Sequence, residues 1–333
     1  MPAAPVIDIY AHFYPQSYLD LLKSAGYPPD TVYSTADPAN PNDPNARTHK
    51  LRDRAFTELE LRVAAMDRQG VTVHAVSLPP PYSFARRGDL LANIARVFND
   101  AASAAHRAYP DRIIGLATLP VNDPAAAIAE LERAAELPGI RGVGLGTRFA
   151  ERELSDRAFF PLYERIAALK LPVFLHYAPL TVIGMQDRLT RFHLANMIGN
   201  TTETAIAAAH LIFGGVLDAF PTLEICLPHS GGVFPILIGR FDRGFHVREE
   251  CKHLPHPPSH YLRRFYYDTV CHSGAIMEFL LRMVGNDRVV LGSDYCFDMG
   301  YDRPVEMVSQ VEGLDEASRM RILGGNAARL LRL

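Results

Sequence analysis

Val6-Ile7-Asp8-Ile9-Tyr10-Ala11-His12-Phe13 is a short run of mostly apolar, β-branched residues that leads directly into a polar Tyr-x-His. Residues two apart on a β-strand point to the same side, so we expect Tyr10 and His12 to project together from the end of a buried strand. Two polar side chains at that point are candidate ligands for a metal ion. The motif gains weight because three later stretches of the chain end in the same way.

Further apolar runs resemble the first and alternate with segments of helical period. They span residues 71–78, 113–119, 139–145, 172–176, 223–229, 265–270 and 289–294, which makes eight strand candidates in all. Buried strands that alternate with helices are typical of a parallel sheet covered on both faces, and eight of them predict an α/β fold of the (β/α)₈ barrel type. The alternative is an open doubly wound sheet, but no glycine-rich phosphate-binding motif follows the first strand.

Helical periodicity lies between these strand candidates. We expect one helix over 56–69 with Leu59, Leu61, Val63 and Met66 on its apolar side, and a second helix that begins after Asp123. The remaining predicted helices span 90–109, 156–169 and 201–220. Each of them fits between two of the strand candidates, as a barrel requires.

Two long irregular segments interrupt the alternation of strands and helices. Residues 24–52 are rich in proline, asparagine and aspartate, and residues 246–264 contain four histidines and several prolines. We interpret residues 1–333 as a single barrel domain with 24–52 as a small insertion or lid after the first strand. Long loops in a compact domain are commonly binding loops, so both segments are expected to cover the active-site end.

Composition and charge argue against several classes of protein. The formal net charge is −3, from 34 basic and 37 acidic residues, without a block of lysine or arginine, so a nucleic-acid partner is not expected. No apolar run reaches the roughly 18 residues of a membrane span, and the first residues lack a basic signal-peptide region. The four cysteines form no CxxC pair, which favours reduced thiols. We therefore expect a cytoplasmic protein without a membrane partner.

Polar residues at the strand ends are the candidates for chemistry. Catalytic groups of a barrel enzyme come from the C-terminal ends of its strands. Here the first strand ends in Tyr10 and His12, the fifth in His176, the sixth in His229 and the eighth in Asp294. Each has an ordinary structural explanation, such as a core histidine, a turn residue or a helix cap. Imidazole and carboxylate together are the ligands of zinc and similar ions, so their common placement predicts a metal site.

Motifs spread over nearly the whole chain resemble one known family. They lie at residues 7–12, 66–71, 174–176, 214–216, 229–235, 239–241, 291–295 and 325–327. On these motifs the chain resembles the amidohydrolase superfamily, in the branch of aminocarboxymuconate-semialdehyde decarboxylase and its relatives. The resemblance implies a metal-dependent non-oxidative decarboxylase of a small aromatic or ring-derived unsaturated carboxylate. The branch also contains hydrolases and hydratases, so a C–C, ester or lactone hydrolase or a hydratase acting on an aromatic-degradation intermediate is the alternative.

The resemblance also implies roles for particular residues. His12, His176 and Asp294 would bind one divalent ion, zinc first and manganese or magnesium as alternatives. His229 would be the catalytic residue that transfers the proton, and Asp294 would be a second catalytic residue. The candidates for contact with the carboxylate substrate are Arg52, with Arg54 as its alternative, and His193, Arg240 and Phe297. Of these, Arg240 is expected to reach the site of a neighbouring subunit, which implies a homodimer.

Tyr10 departs from the family pattern, which has His-x-His at this point. A neutral phenol is a weaker ligand than imidazole, and ionising it at neutral pH is costly because its pKa is about 10. Three explanations stand open: Tyr10 binds the ion as phenolate, it leaves a three-ligand site for a harder ion such as Mn²⁺ or Mg²⁺, or the metal is lost and the protein has a binding role. A retained ion is favoured. Relatives carry tryptophans within 188–197, where this chain has Phe192 and His193, so we expect a substrate other than the one that names the branch.

Overall fold

The computed structural model describes residues 5–34, 48–51, 53–81, 84, 87–149, 151–178, 182–185 and 187–333. Its strands are β1 (Ile7–His12), β2 (Thr31–Ser34), β3 (Thr48–Lys50), β4 (Val73–Ser77), β5 (Ile113–Thr118), β6 (Ile140–Gly146), β7 (Val173–His176), β8 (Ile225–Leu227) and β9 (Phe265–Tyr267). A seven-stranded sheet runs in the order β1-β4-β5-β6-β7-β8-β9, and each neighbouring pair in it is parallel. The α/β barrel predicted from the alternation of strands and helices is confirmed.

The barrel closes through a segment that is not a regular strand. Residues 289–295 form isolated parallel bridges, from Val289 to Tyr267 of β9 and from Tyr295 to Ala11 of β1. Extended strand geometry requires a negative φ, whereas Asp294 lies at φ 61°. The eighth strand predicted at 289–294 is therefore wrong as a regular element. Its residues nevertheless occupy the eighth position of the barrel.

Helices follow the strands on the outside of the sheet. They are α1 (Gln16–Ser24), α2 (Leu59–Gln69), α3 (Gly88–Ala108), α4 (Pro124–Ala135), α5 (Phe160–Leu169), α6 (Thr201–Phe213), α7 (Val216–Ala219), α8 (Phe234–Val247), α9 (Gly274–Val284), α10 (Pro304–Ser309), α11 (Glu316–Met320) and α12 (Asn326–Leu331). The single helix predicted over 201–220 is divided at Gly214 and Gly215, the second of which has φ 71°. Among the described residues, no helix has the length and apolar character to cross a membrane.

The buried face of helix α2 matches the predicted apolar side only in part. Its buried residues are Arg62, Ala65 and Met66, whereas Leu61 is 42% exposed and Val63 is only partly buried. Residues three and four apart share one side of a helix, so Arg62 belongs to the same side as Ala65 and Met66. The apolar pattern identified the helix correctly and its prediction for Met66 is confirmed, but Leu61 is on the exposed side.

The two long irregular segments, 24–52 and 246–264, lie in different parts of the structure. In the described part of the insertion, β2 and β3 pair antiparallel and stand beside the open end of the barrel. In contrast, 246–264 packs beside α6 and α8: Nε2 of His253 lies 2.6 Å from the carbonyl oxygen of Phe213, and Leu254 is buried in the core. The expectation that 246–264 covers the active-site end is wrong, because its contacts hold it against the outer helices.

Candidate metal centre

Three residues from distant parts of the chain converge at the C-terminal end of the strands. His12 ends β1, His176 ends β7, and Asp294 lies in the irregular closing segment. One ligand atom from each lies within 4.8 Å of those of the other two, and all three residues are buried. Nε2 of His12 is 2.9 Å from Oδ1 of Asp294. The structure therefore brings together a group that could hold one divalent ion.

The ring nitrogens of both histidines are oriented for a ligand. Nδ1 of His176 lies 2.6 Å from the carbonyl oxygen of Tyr177 and donates to it, which leaves the lone pair on Nε2. That Nε2 is buried and has no hydrogen-bond partner among the described residues. Nδ1 of His12 lies 3.2 Å from Oγ of Ser77, so its Nε2 faces the group. Metal-binding histidines are held in this way, with one nitrogen fixed by the protein and the other directed to the ion.

Burial sets the charges of the three residues. It lowers the pKa of His12 to about 3, with the charge of Arg62 adding to the effect, and it lowers the pKa of His176 well below the ordinary value. Burial raises the pKa of Asp294 to about 7, against the opposing effect of His229. Neutral imidazoles are the form that binds a metal, and a cation would favour the ionised carboxylate. The donor set thus fits a divalent ion.

Tyr10 lies inside the same group. Its ring stacks on His176 with centroids 5.5 Å apart and meets the rings of His12 and His229 edge-on at 4.9 and 5.6 Å. The hydroxyl is buried without a hydrogen-bond partner among the described residues. Burial, together with the charge of Asp294, raises the pKa of this phenol well above 10. Its oxygen is neutral unless a cation lies next to it.

His229 is held in a strained turn. It has φ 53° and the following Ser230 has φ 55°, a conformation that is uncommon for residues other than glycine. The carboxylate of Asp268 accepts the backbone N–H groups of both, at 2.8 and 2.7 Å, and so fixes the turn. Nδ1 of His229 is buried without a partner among the described residues, and burial lowers its pKa. A neutral imidazole with a free nitrogen can exchange a proton with a bound substrate.

A cavity of about 540 Å³ opens beside the group. Asp294 and Phe297 line it on the barrel side, and Phe297 lies 5.2 Å from the ring of His12. The β2–β3 hairpin supplies another wall, which includes Lys50. His193, predicted as a substrate contact, also lines this cavity.

Of the two predicted arginines, the structure describes only Arg240. Arg240 is exposed on α8 and is not among the residues that line it. Arg52 lies outside the described residues. The nearby Arg54 pairs with Glu58 through a 2.8 Å contact and is 78% exposed.

Sequence reasoning missed Arg62, Asp268 and Lys50. Asp268 lies within the predicted strand 265–270, so the strand-end rule that selected the other site residues could have found it. Lys50 lies in the insertion, where no periodicity in the sequence indicates which side chains face the cavity. Arg62 gave no signal, because a buried arginine on a helix has the same sequence appearance as an exposed one.

The comparisons with known proteins agree with this geometry. The family model described as Amidohydrolase matches residues 7–333. The 2-amino-3-carboxymuconate-6-semialdehyde decarboxylase of Dictyostelium discoideum is 28% identical, over 98% of this chain and 91% of that protein. The gamma-resorcylate decarboxylase of a Polaromonas species is 29% identical, over 94% of each chain. The crystal structure of 5-carboxyvanillate decarboxylase from Sphingomonas paucimobilis has a TM-score of 0.82 and 26% identity, and covers 99% of this chain and 100% of that one. The chain therefore belongs to the amidohydrolase family, and these relatives, which it matches along nearly the whole length, are decarboxylases.

Proposed function

We propose that this protein is a metal-dependent decarboxylase that releases carbon dioxide, without oxidation, from a small aromatic or ring-derived unsaturated carboxylate. The observation that carries the proposal is the buried group of His12, His176 and Asp294 beside a cavity of about 540 Å³. The names of the relatives support the reaction, since all three are decarboxylases of unsaturated or aromatic acids. A cavity of this size suits a single substituted ring.

One divalent ion would be held by His12, His176 and Asp294, with the hydroxyl of Tyr10 as a fourth ligand. Two imidazole nitrogens and a carboxylate favour zinc, and manganese or magnesium are the alternatives. When bound, such an ion supplies Lewis acidity toward oxygen atoms of the substrate. The buried nitrogen of His176 and the buried hydroxyl of Tyr10, both without partners among the described residues, support this ligand set.

His229 is proposed to handle the proton. When the bond between the ring and the carboxylate breaks, its electron pair stays with the ring carbon, carbon dioxide leaves, and that carbon takes up a proton. A neutral imidazole carries one N–H and one lone pair, so it can receive a proton from a substrate hydroxyl or water and pass it to the carbon. The hydrogen bonds from the backbone of His229 and Ser230 to Asp268 fix the main chain that carries this ring.

Recognition of the substrate carboxylate is proposed to need a second subunit. Among the described residues that line the cavity, Lys50 is the only permanent cation, whereas Asp53, Asp298 and Asp302 are acidic. Arg240 is exposed on α8, where the neighbouring Ile236 is 65% exposed. We propose a homodimer in which this face of α8 meets the second copy and Arg240 binds the partner's substrate bidentately. Arg52 is proposed as a further carboxylate contact from the insertion.

Product analysis tests the function directly. Hydroxybenzoates and unsaturated dicarboxylates are incubated with the purified protein before and after removal of metal by a chelator, and products are identified by mass. The proposal expects loss of one carbon dioxide per turnover, loss of activity after chelation and recovery when a divalent ion is returned. Addition of water to the substrate instead would assign the protein to the hydrolases and hydratases. Activity that persists unchanged in the chelated protein would contradict a metal-dependent reaction.

A further inference from the structure

Arg62 is an arginine with 0% exposure, and it lies directly behind the candidate metal centre. Its Nη2 donates to the backbone carbonyl of His12 and, at 3.3 Å, to that of Ala55. The guanidinium also lies 5.2 Å from the ring centroid of Tyr295, the residue that follows Asp294. Burying a cation is costly unless it is paired or hydrogen-bonded, so this position needs a compensating role in structure or function.

A buried polar network continues from Arg62 through His74 to Asp8. Nη1 of Arg62 lies 3.3 Å from Nδ1 of His74, and since arginine can only donate, Nδ1 must accept. The proton of the neutral imidazole is then on Nε2, which faces Oδ2 of Asp8 at 3.5 Å, a polar contact that is too long for a regular hydrogen bond. Burial lowers the pKa of His74 well below its ordinary value, in agreement with a neutral ring. The three residues lie on α2, β4 and β1, so the network crosses three elements.

Asp8 in turn holds the segment that carries Asp294. It accepts the backbone N–H of Tyr10 at 2.9 Å and that of Ser293 at 3.1 Å, and it also accepts the hydroxyl of Ser293. Oγ of Ser293 accepts the backbone N–H of Tyr295 at 3.0 Å. Both neighbours of Asp294 are therefore bound to one network, which also holds the carbonyl of His12. The closing segment lacks the regular ladder of a strand, although two backbone hydrogen bonds join it to β1, from the N–H of Asp294 to the carbonyl of Tyr10 at 2.8 Å and from the N–H of His12 to that of Tyr295 at 2.6 Å. The side-chain bonds of Asp8 and Ser293 add to these two.

We propose that Arg62, His74 and Asp8 are positioning residues that fix His12 relative to Asp294 for metal binding. The inference rests on the metal site of the proposed function. Groups that support metal ligands from behind typically change metal affinity by about 10- to 100-fold when they are removed. The network joins residues 8 and 12 to residues 293 and 295, so its loss should affect the distance between the two ligands before it affects the fold.

Cobalt(II) is the probe for the test, because its visible spectrum reports the geometry of its ligands. The variants are Arg62→Lys, which keeps the charge but loses the forked contact, Arg62→Met, and Ser293→Ala, which removes only the hydroxyl. Each is titrated with Co²⁺ against a chromophoric chelator, and its thermal midpoint is recorded without metal. We expect Co²⁺ affinity to fall about 10- to 100-fold in the Arg62 variants, with an altered spectrum, and by less in Ser293→Ala.

Asn99→Ala is the matched control for general destabilisation. Asn99 has 0% exposure and bonds the backbone of Thr118 at 3.0 and 2.8 Å, away from the network. The Asn99→Ala variant should have a lower thermal midpoint, with the Co²⁺ affinity and spectrum of the wild type. Folded Arg62→Lys and Ser293→Ala proteins with wild-type affinity and spectrum would overturn the positioning role while the metal site stands. A wild-type protein that binds no Co²⁺ would overturn the metal site and, with it, the role of the network.

Discussion

At the scale of single residues, Tyr10 decides how the metal would be held. Its ring lies against those of His12 and His176, and its buried hydroxyl has no hydrogen-bond partner among the described residues. A phenol must lose a proton, with an ordinary pKa of about 10, to bind as phenolate, whereas a neutral imidazole already carries a lone pair. A ligand of this kind contributes binding energy only when the cation compensates for the cost of ionising or polarising it. Tyr10 should therefore be a weaker ligand than His176.

Substitution of Tyr10 tests this ranking. We expect Tyr10→Phe to weaken the binding of Zn²⁺ by roughly tenfold, about 1.4 kcal/mol, and Tyr10→His to strengthen it, because imidazole is the better zinc ligand. His176→Ala should abolish binding. Affinities are measured by competition with a chelator. Tyr163→Phe serves as control, because it removes a buried hydroxyl that donates a hydrogen bond to the carbonyl of Leu154. An unchanged affinity in Tyr10→Phe would remove Tyr10 from the ligand set.

His229 should be separable from the metal ligands. We expect His229→Gln to lower kcat by about 10²- to 10⁴-fold, the usual range for loss of a general acid–base group, with the metal content unchanged. Glutamine keeps hydrogen-bonding capacity but cannot carry a proton between substrate atoms. Metal is measured by elemental analysis beside the turnover assay. Loss of metal together with activity would place His229 in the ligand set instead.

The pH dependence follows from the burial of His229. Burial lowers its pKa below the ordinary 6.5, so the neutral ring that accepts a proton persists down to pH values under 6.5. A bound cation would disfavour the imidazolium further and shift the pKa in the same direction. We expect the midpoint of the acid limb of kcat/KM to lie below pH 6.5, as a pH–rate profile of the metal-loaded protein would show. An acid limb above pH 6.5 would have to come from another group.

At the scale of elements, apolar periodicity predicted the regular strands and helices, and it failed where a single residue has a conformation or a burial that the pattern does not contain. Seven predicted strands are found because their runs of apolar residues are buried on both faces. The eighth lost its regular geometry at Asp294, whose left-handed φ cannot be read from an apolar pattern. On α2, the apolar pattern placed Leu61 inward, although the buried face holds Arg62. A charged side chain that is compensated by tertiary hydrogen bonds is invisible to a rule based on hydrophobicity.

The start of α4 shows an element signal that the structure confirms. Asp123 accepts the backbone N–H groups of Ala125 and Ala126 at 2.9 and 3.2 Å, directly before Pro124. Replacing Asp123 with alanine leaves both donors without this acceptor. We expect Asp123→Ala to lower the free energy of unfolding by about 0.5–2 kcal/mol in urea denaturation, without a change in turnover. Asp123→Ser is the control that keeps a capping oxygen, and a loss in the serine variant equal to that in alanine would contradict the capping role.

At the scale of the whole molecule, the barrel explains why the ligand candidates could be selected without a structure. Residues 12 and 294 are neighbours because a closed barrel brings the ends of its first and last strand positions together. Strand ends are thus predictable from the topology alone. The walls of the cavity are not, because they come from the insertion and from loops such as the one with Phe297, whose directions depend on tertiary packing. A group supplied by a second subunit, as proposed for Arg240, cannot be predicted from the topology of one chain; here it was expected only from the family resemblance.

The proposed sharing of Arg240 between subunits can be tested by complementation. If Arg240 acts in the partner's cavity, Arg240→Ala and His229→Gln homodimers are both inactive, but a mixed dimer contains one site with both groups intact. Random assembly of the two coexpressed chains should then restore about one quarter of the wild-type activity.

The matched control is coexpression of His229→Gln with His176→Ala, because both residues belong to the same chain's site and no assembly makes an intact one. Isolation of the mixed dimer through two different tags measures the restored activity directly. A mixed dimer as inactive as its parents would mean that Arg240 does not serve the neighbouring site, and a chain that sediments as a monomer while decarboxylating substrate would contradict the shared site altogether.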